Sequence, residues 1–273
     1  MGEKSKNTLL ITGAIDITPY NIPVVQIIDL QERLSQYLYS IEYAINHYSK
    51  VDNIVFCENT DHKFDYSSLQ DKAKSKGKHL EVLTFKGNYD NIQRKGKGYG
   101  EGETIKYALN HSEILAQSDN FYKLTGRIVV TNMDKIINKT THANAFIFPI
   151  VFKCVAKQIV ETIFYKTSKV LYTQRLLDAY LEIDDNRNII LEHVFFDILN
   201  EISLKSFSEY PNIVGYSAST GQPYTKSKKV MLKNKLFARL GFFGNRRSIL
   251  HKIVICVIQT FKGDYNMLRL VKK

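Results

Sequence analysis

The chain has 273 residues, of which 44% are hydrophobic and 24% are charged, so it can bury a core and is not a chain that is disordered throughout. Its three cysteines do not suggest a disulfide framework or a metal site, and no apolar run reaches the ~20 residues that a membrane-spanning helix requires. The formal net charge of +11 favours anionic partners, which are nucleotides, nucleic acid or an anionic membrane surface.

Strands and helices are predicted to alternate through the first half of the chain. Apolar runs and helical periodicity predict strands at 8–15, 53–57, 80–85 and 121–124, and helices at 30–47, 67–76 and 103–117. This alternation predicts an α/β fold with a mainly parallel sheet and helices on both faces. Ligands of such sheets bind beyond the carboxyl ends of the strands. Asp16, Glu58 and the turn Thr125-Gly126-Arg127 follow three of the strands, so we interpret them as parts of one site.

The second half of the chain is less regular. The same signals predict strands at 144–152, 161–166 and 213–216, helices at 168–181 and 194–201, and a turn at 184–188. From residue 226 onwards, lysine and arginine are mixed with leucine, phenylalanine and isoleucine, which predicts a basic amphipathic helical region. The sequence therefore predicts two parts, residues 1–225 and residues 226–273.

A glycine-rich basic stretch precedes the predicted helix at 103–117. Gly96, Gly98, Gly100 and Gly102 fall at every second position, and Lys95 and Lys97 lie among them. Glycine lets backbone N–H groups approach a bulky anion, and a helix N-terminus favours negative charge. The stretch is interpreted as a loop that binds a phosphate-bearing ligand. The alternative is a solvated loop followed by a core helix.

Three segments carry a family resemblance. They are Gly98-Tyr99-Gly100-Glu101, Tyr122-Lys123-Leu124-Thr125-Gly126-Arg127 and Ile189-Ile190-Leu191-Glu192-His193. In their order along roughly the first two hundred residues they resemble bacterial glycosyltransferases of the GT-A type, which build capsule and O-antigen polysaccharides. The resemblance implies transfer of a hexosyl or pentosyl group from a nucleotide-sugar donor to a lipid-linked glycan acceptor.

The chain departs from this family at the metal site. GT-A enzymes place an Asp-x-Asp motif where this chain has Thr125-Gly126-Arg127. The guanidinium of Arg127 can neutralise a diphosphate in part, so we predict transfer that needs no metal and no other cofactor. If a metal is bound, Asp184-Asp185 is the alternative site. Arg127 could instead pair with a carboxylate. The predicted donor-binding residues are Lys95, Lys97, Gly98, Tyr99, Gly100, Glu101, Lys123, Thr125, Gly126 and Arg127.

The resemblance also implies a catalytic carboxylate. Glu192 is predicted to be the general base that deprotonates the acceptor hydroxyl, and His193 to orient it or to contact a phosphate. The alternative is that Glu192 caps the following helix and His193 is a half-buried structural histidine. Asp16 and Glu58 are predicted to contact the nucleotide or the acceptor, or else to be capping carboxylates.

The predicted partners beyond the donor are the lipid-linked acceptor and an anionic membrane surface. The chain is expected to be cytoplasmic and peripheral on the inner face of the cell membrane, with residues 226–273 lying in the membrane interface. These residues could also pack on the core, and both descriptions can hold for different residues. No nucleic acid is expected as a partner. The alternative functions are a non-catalytic nucleic-acid-binding protein and another nucleotide-dependent transferase.

Overall fold

The structure is a computed structural model that describes residues 6–20, 25–150, 158–217 and 220–246. The strands are β1 Thr8–Gly13, β2 Asn53–Glu58, β3 His79–Thr84, β4 Asn120–Thr125, β5 Ile128–Val130, β6 Phe164–Ser168 and β7 Ile213–Gly215. The helices are α1 Leu30–His47, α2 Ser67–Ser75, α3 Tyr89–Lys95, α4 Lys97–His111, α5 Glu113–Ala116, α6 Met133–Lys139, α7 Lys169–Leu171, α8 Leu191–Leu199 and α9 Lys228–Arg239.

The main sheet has five strands in the order β3-β2-β1-β4-β6. The first four strands pair in parallel, and β6 runs antiparallel to β4. A separate two-stranded antiparallel sheet joins β5 to β7. The predicted α/β fold with a mainly parallel sheet is therefore confirmed, and the strands of the first half begin and end within two residues of their predicted bounds.

Helices cover both faces of this sheet. Alternate residues of the strands point to opposite sides, as the period of a strand requires. On one side Leu9 and Phe56 pack with Ile41 of α1 in one apolar cluster. On the other side Leu10 and Val55 belong to a second cluster, which α4 and α8 complete. The sheet thus lies between two buried layers, and its carboxyl-end edge remains open between the helices.

The expected glycine-rich loop is wrong as a local structure. Helix α4 begins at Lys97, so Gly98, Gly100 and Gly102 are helical, and Gly96 makes the junction with α3 at φ 97°. Glycine disfavours a helix interior by about 1 kcal/mol, but tertiary contacts override this preference. A Cβ on Gly102 would lie 2.1 Å from the Cβ of Tyr180. The glycines therefore let other segments approach α4 closely.

This packing gives a testable prediction. Gly102→Ala should lower the melting temperature, because the added methyl overlaps Tyr180 and overpacking costs about 1–3 kcal/mol. Gly98→Ala is the matched control, since its Cβ would meet nothing nearer than 3.2 Å. The control should change the melting temperature much less than Gly102→Ala does, because Ile183 has to move by only a few tenths of an ångström and alanine favours helix. Equal melting curves for both variants would show that Tyr180 does not pack against α4 in this way.

Several expectations for the second half are corrected. Residues 144–150 form no strand, apart from bridges made by Ala145, and residues 151 and 152 lie outside the described residues. The expected helix at 168–181 is broken into α7, a π-helical turn Tyr172–Leu176 and a 3-10 turn Ala179–Glu182. The turn expected at 184–188 is confirmed, with Asn188 in the left-handed region.

Helix α9 packs on the main body. Phe237 and Ala238 belong to the apolar cluster that contains α1. Glu209, whose side chain is 1% exposed, accepts from Lys139 at 2.9 Å and lies 3.5 Å from Lys235 of α9. Burial alone would raise the pKa of Glu209, but these cations outweigh it and the pKa is lowered. This side of α9 therefore packs on the core, which was one of the two alternatives for residues 226–273. The boundary between two parts at residue 226 stays a prediction. Residues 247–273 lie outside the described part of the chain.

The outer side of α9 has a different character. Leu232, Leu236 and Leu240 lie one turn apart and are 71%, 54% and 53% exposed. Lys228 and Lys229 are exposed on the same helix. Within the described ranges of the chain, no helix is both long enough and apolar enough to cross a bilayer.

Candidate functional site

A cavity opens where β1, β2 and β4 end. Strand-end residues, one side of α1 and one side of α4 line it: Thr12, Gly13, Ala14, Arg33, Tyr37, Asn59, Thr60, Lys97, Gly100, Glu101, Thr104, Thr125 and Arg127, with Ile17, Val25 and Ile92. This is the edge at which parallel α/β sheets bind their ligands. The position agrees with the site expected from the sequence, although the set of residues differs.

Arg33 holds the loop after β1. Its Nε donates to the carbonyls of Ala14 and Ile15 at 3.1 and 3.0 Å, and its Nη1 donates to the Ile27 carbonyl at 2.9 Å. Burial lowers the pKa of this guanidinium, Tyr37 raises it, and the charge of Arg127 lowers it again. Since arginine stays protonated in proteins, Arg33 places a buried positive charge beside the cavity.

Arg127 is strained and incompletely bonded. Its φ of 67° is in the left-handed region, which non-glycine residues rarely adopt. Its Nη1 donates to the Gln36 side chain at 3.0 Å, whereas its buried Nε has no hydrogen-bond partner among the described residues. A buried donor without a partner costs about 1–3 kcal/mol. The arginine is therefore held in a conformation that leaves part of its hydrogen-bonding capacity unused.

The two guanidinium groups lie near the same tyrosine ring. Their Cζ atoms are 6.0 Å (Arg33) and 5.8 Å (Arg127) from the ring centre of Tyr37. Neither forms a salt bridge with a carboxylate in the part of the chain that the structure describes. Two like charges close together attract an anion more strongly than one. The alternative that Arg127 pairs with a carboxylate does not hold among these residues.

Glu101 is the carboxylate that lines this cavity, and its orientation is fixed. The fully buried Lys123 donates to Glu101 Oε1 and, at 2.8 Å each, to the Thr125 hydroxyl and the Thr162 carbonyl. The Thr125 hydroxyl donates to the same Glu101 oxygen at 3.0 Å. Lys123 thus supports the site from behind the strand and does not line the cavity.

These residues do not form the ligand set of a divalent metal. Mg²⁺ and Mn²⁺ prefer carboxylate and carbonyl oxygens, but the end of β4 offers Thr125, Gly126 and Arg127, and Glu101 already holds Lys123. No group of three or more His, Cys, Asp or Glu side chains suits a metal within the described ranges. Metal-independent chemistry stays a prediction.

Five of the expected donor-binding residues do not line this cavity: Lys95, Gly98, Tyr99, Lys123 and Gly126. Lys95 donates to the Leu181 carbonyl and lies over the ring of Tyr99, 5.3 Å from its centre. Gly98 donates its N–H to the Asp185 carboxylate at 3.3 Å, so that carboxylate takes the helix N-terminus expected to receive a phosphate. Gly126 bonds to the Thr12 carbonyl at 2.8 Å, where it lets the chain turn tightly against α1.

Asp16 and Glu58 have partners within their own turns. Asp16 accepts from the N–H and hydroxyl of Thr18, at 3.1 and 2.5 Å. Glu58 is fully buried and accepts from Thr60 twice and from the His62 N–H, at 2.6 to 2.9 Å. Burial raises the pKa of Glu58, and these hydrogen bonds oppose it. Neither carboxylate lines the cavity, which matches the capping alternative; their expected contacts with ligand are untested.

Glu192 lies in the first turn of α8 and lines a second cavity. Its Oε1 accepts from the Thr162 hydroxyl at 3.1 Å. Its neighbour His193 is 6% exposed, and its Nδ1 lies 3.3 Å from the Asn188 carbonyl. Because adjacent residues on a helix point about 100° apart, the two side chains face different surroundings. The structure places Glu192 at a cavity and His193 in the core.

Tyr224 relates the two cavities. It lines the second cavity, and burial raises its pKa. The charges of Glu101 and Glu192 also raise this pKa, whereas the charge of Arg127 lowers it. The charged groups of the first cavity and the carboxylate of the second therefore lie within electrostatic reach of one tyrosine.

Most residues that line the first cavity were not predicted from the sequence, among them Arg33, Tyr37, Asn59 and Thr60. A signal for the first two was present. Arg33 and Tyr37 are one turn apart and continue the buried stripe of α1, where a buried arginine is unusual. Asn59 and Thr60 directly follow β2, so they were as well placed as Glu58.

Comparison with known proteins gives no family assignment. No protein-family model matches the chain, and no curated protein matches it. Among solved structures, the glycosyltransferase GlyE of Streptococcus pneumoniae is similar with a TM-score of 0.45 and 11% identity, over 72% of this chain and 43% of that one. A putative glucose-1-phosphate thymidylyltransferase from Bacillus anthracis has a TM-score of 0.43 and 9% identity, over 86% and 96%. An active-site mutant of LgtC has 0.42 and 10%, over 69% of each chain. The chain thus spans less than half the length of GlyE.

Proposed function

We propose that this protein is a glycosyltransferase that moves a sugar from a nucleotide-sugar donor to a glycan acceptor. The observation that carries the proposal is the pair Arg33 and Arg127 at the carboxyl ends of the parallel strands, with a buried Nε of Arg127 that finds no partner in the described part of the chain. A diphosphate supplies the negative charge and the acceptor oxygens that this pair lacks. The GT-A resemblance of the sequence supports a sugar as the group transferred.

The cavity offers different contacts to the other parts of a donor. The Glu101 carboxylate accepts hydrogen bonds only, so it suits hydroxyl groups of a ribose or a sugar. Lys97, four residues before Glu101, and Thr104, three residues after it, line the same cavity. Arg127 neutralises the diphosphate in place of a metal, in this proposal, because its fork of donors matches phosphate oxygens.

The transfer step needs a base for the acceptor. In the proposed step Glu192 takes the proton of the acceptor hydroxyl while that oxygen bonds to the anomeric carbon of the donor sugar. The bond from this carbon to the diphosphate oxygen breaks, and the nucleoside diphosphate leaves with the electron pair. Arg127 stabilises the charge that develops on the leaving group. This scheme inverts the anomeric configuration.

The acceptor is proposed to be a lipid-linked glycan in the synthesis of a surface polysaccharide, reached at the cytoplasmic face of a membrane. The exposed leucines Leu232, Leu236 and Leu240 support this, because lysines flank them on the same helix. Apolar side chains enter the interface of a bilayer, and lysine attracts anionic headgroups.

The membrane part is tested by flotation. The protein should float with anionic liposomes at low salt and lose this binding at high salt, since the attraction is screened. Lys228→Glu with Lys229→Glu should abolish flotation while the melting temperature stays nearly unchanged, as both lysines are exposed. Lys235 is left intact because it contacts the buried Glu209. Wild-type protein that never floats would end the membrane proposal without touching the transferase proposal.

The transferase proposal itself is tested by product analysis. Incubation with UDP-, GDP-, CMP- and dTDP-sugars and a bacterial lipid extract should release one nucleotide and label one lipid fraction with sugar. Release of pyrophosphate from a sugar phosphate and a nucleoside triphosphate would indicate a nucleotidyltransferase instead. Retention on DNA or RNA at physiological salt, with no turnover of any sugar nucleotide, would favour the nucleic-acid-binding alternative.

A further inference from the structure

The second cavity has chemistry that a proton acceptor alone does not require. It is formed by Ile159 and residues 161–163, 210–214 and 224–226, together with Thr131, Glu192 of α8 and Met231 of α9. Residues of three separated segments therefore meet Glu192 at one place. The first cavity, which is proposed to bind the donor, does not include these residues.

One group of its lining residues is polar and connected. Glu161 lies 3.3 Å from the Tyr210 hydroxyl, to which Lys226 donates at 2.7 Å. The Thr162 hydroxyl donates to Glu192 at 3.1 Å. Two carboxyl groups and a tyrosine hydroxyl in one cavity can bind the hydroxyl groups of a sugar, since they offer several acceptors.

The other group of lining residues is apolar. It consists of Ile159, Ile163, Pro211, Ile213, Val214 and Met231. Apolar surface of this kind gains free energy when a hydrocarbon covers it, at about 25 cal/mol per Å². Val214 is 40% exposed, so part of this wall is open to solvent. A hydrocarbon chain covers such side chains more completely than a glycan does, because much of a glycan's surface consists of hydroxyl groups that prefer water.

The wall reaches the helix with the exposed leucines. Met231 lines the cavity, whereas the next residue, Leu232, is 71% exposed on the outer side of α9. A hydrocarbon chain of a bound ligand that leaves the cavity past Met231 would therefore meet an apolar helix face flanked by lysines. This continuity matches a molecule that is held partly in the protein and partly in a membrane.

We propose that the second cavity binds the acceptor as an amphiphile, with a sugar hydroxyl at Glu192 and a lipid chain against Ile213, Val214 and Met231. The inference rests on the proposed transferase function and adds where its acceptor is held: the hydrocarbon of the lipid-linked glycan contacts the wall of this cavity directly. The alternative acceptor, a free oligosaccharide, would use the polar group alone.

Methionine methyl NMR on the intact chain tests this proposal. The chain has four methionines, so a methyl-labelled sample gives a simple spectrum in which substitution assigns Met231. Octyl glucoside below its micelle concentration should shift the Met231 methyl signal in a saturable way, with and without UDP. The buried Met133, which is 1% exposed, should not move and serves as the internal reference. Methyl glucoside, which lacks the chain, should cause no shift at the same concentration.

Two adjacent substitutions separate the cavity from the outer helix face. Met231→Gln should weaken octyl glucoside binding about tenfold, measured by calorimetry, because an apolar contact is lost. Leu232→Gln removes an exposed leucine from the same helix with the same replacement, and it should leave this affinity unchanged.

An unchanged Met231 signal, or equal shifts with methyl glucoside, would overturn the amphiphile proposal. So would loss of binding in Leu232→Gln and not in Met231→Gln, which would place the detergent on the outer face of α9. Because octyl glucoside binding is measured apart from nucleotide binding, the two proposals can fail separately.

Discussion

The Glu192→Gln protein is expected to bind its donor like wild type and to transfer sugar about 10²- to 10⁴-fold more slowly. Glutamine keeps the shape and accepts the hydrogen bond from Thr162, at 3.1 Å in the wild-type chain, but it cannot take a proton. The loss should therefore appear in kcat, with little change in donor affinity or melting temperature. Stopped assays of sugar transfer, combined with calorimetry of donor binding, measure both quantities.

The matched control is Glu201→Gln. Glu201 lies two residues after the end of α8, the helix that carries Glu192. Glu201 is 66% exposed and pairs with Arg175 at 3.2 Å, so its substitution should leave turnover unchanged. A Glu192→Gln protein with near-normal turnover would assign Glu192 to the helix N-terminus, where a carboxylate is favourable for structural reasons. A retaining reaction outcome would also remove the need for this base.

Removing the Arg127 side chain is expected to weaken donor binding by about 1.5–3 kcal/mol, the value of a hydrogen bond to a charged group. Arg127→Gly is the informative variant. Residue 127 has a φ of 67°, which suits glycine. Relief of about 1–2 kcal/mol of backbone strain should therefore offset the lost side-chain contacts. We expect a melting temperature close to wild type with donor affinity reduced at least tenfold, measured by calorimetry.

Two further variants define what Arg127 contributes. Arg127→Lys keeps the charge but loses the planar fork, and it should recover part of the affinity. Arg94→Ala removes an exposed arginine that bonds to Asn91 within α3 and should leave donor binding intact. If Arg127→Gly bound the donor normally, the arginine pair would not be the diphosphate site.

The strands of the first half were predicted well from the sequence because their signals are local. Four apolar runs with helical patterns between them predict a parallel sheet, and the predicted bounds of α1 agree with the structure. The same reasoning identified Arg127, since a residue that directly follows a central strand lies at the ligand-binding edge.

Long-range contacts explain what the sequence did not predict. Helix α4 starts at Lys97 because Asp185, which lies 87 residues from Gly98 along the chain, bonds to its first turn. Tyr180 fills the space that Gly102 leaves. Arg33 lies at the cavity because its guanidinium donates to carbonyls of the loop after β1. No local pattern specifies any of these contacts.

The measurement that tests the central claim most directly is calorimetric titration with nucleoside diphosphates and their sugar conjugates in the presence of a chelator. We expect one nucleotide series to bind without metal, and we expect Arg127→Gly to lower its affinity while Arg94→Ala does not. Absence of binding by every compound at millimolar concentration, or binding that requires Mn²⁺ or Mg²⁺ strictly, would contradict this claim.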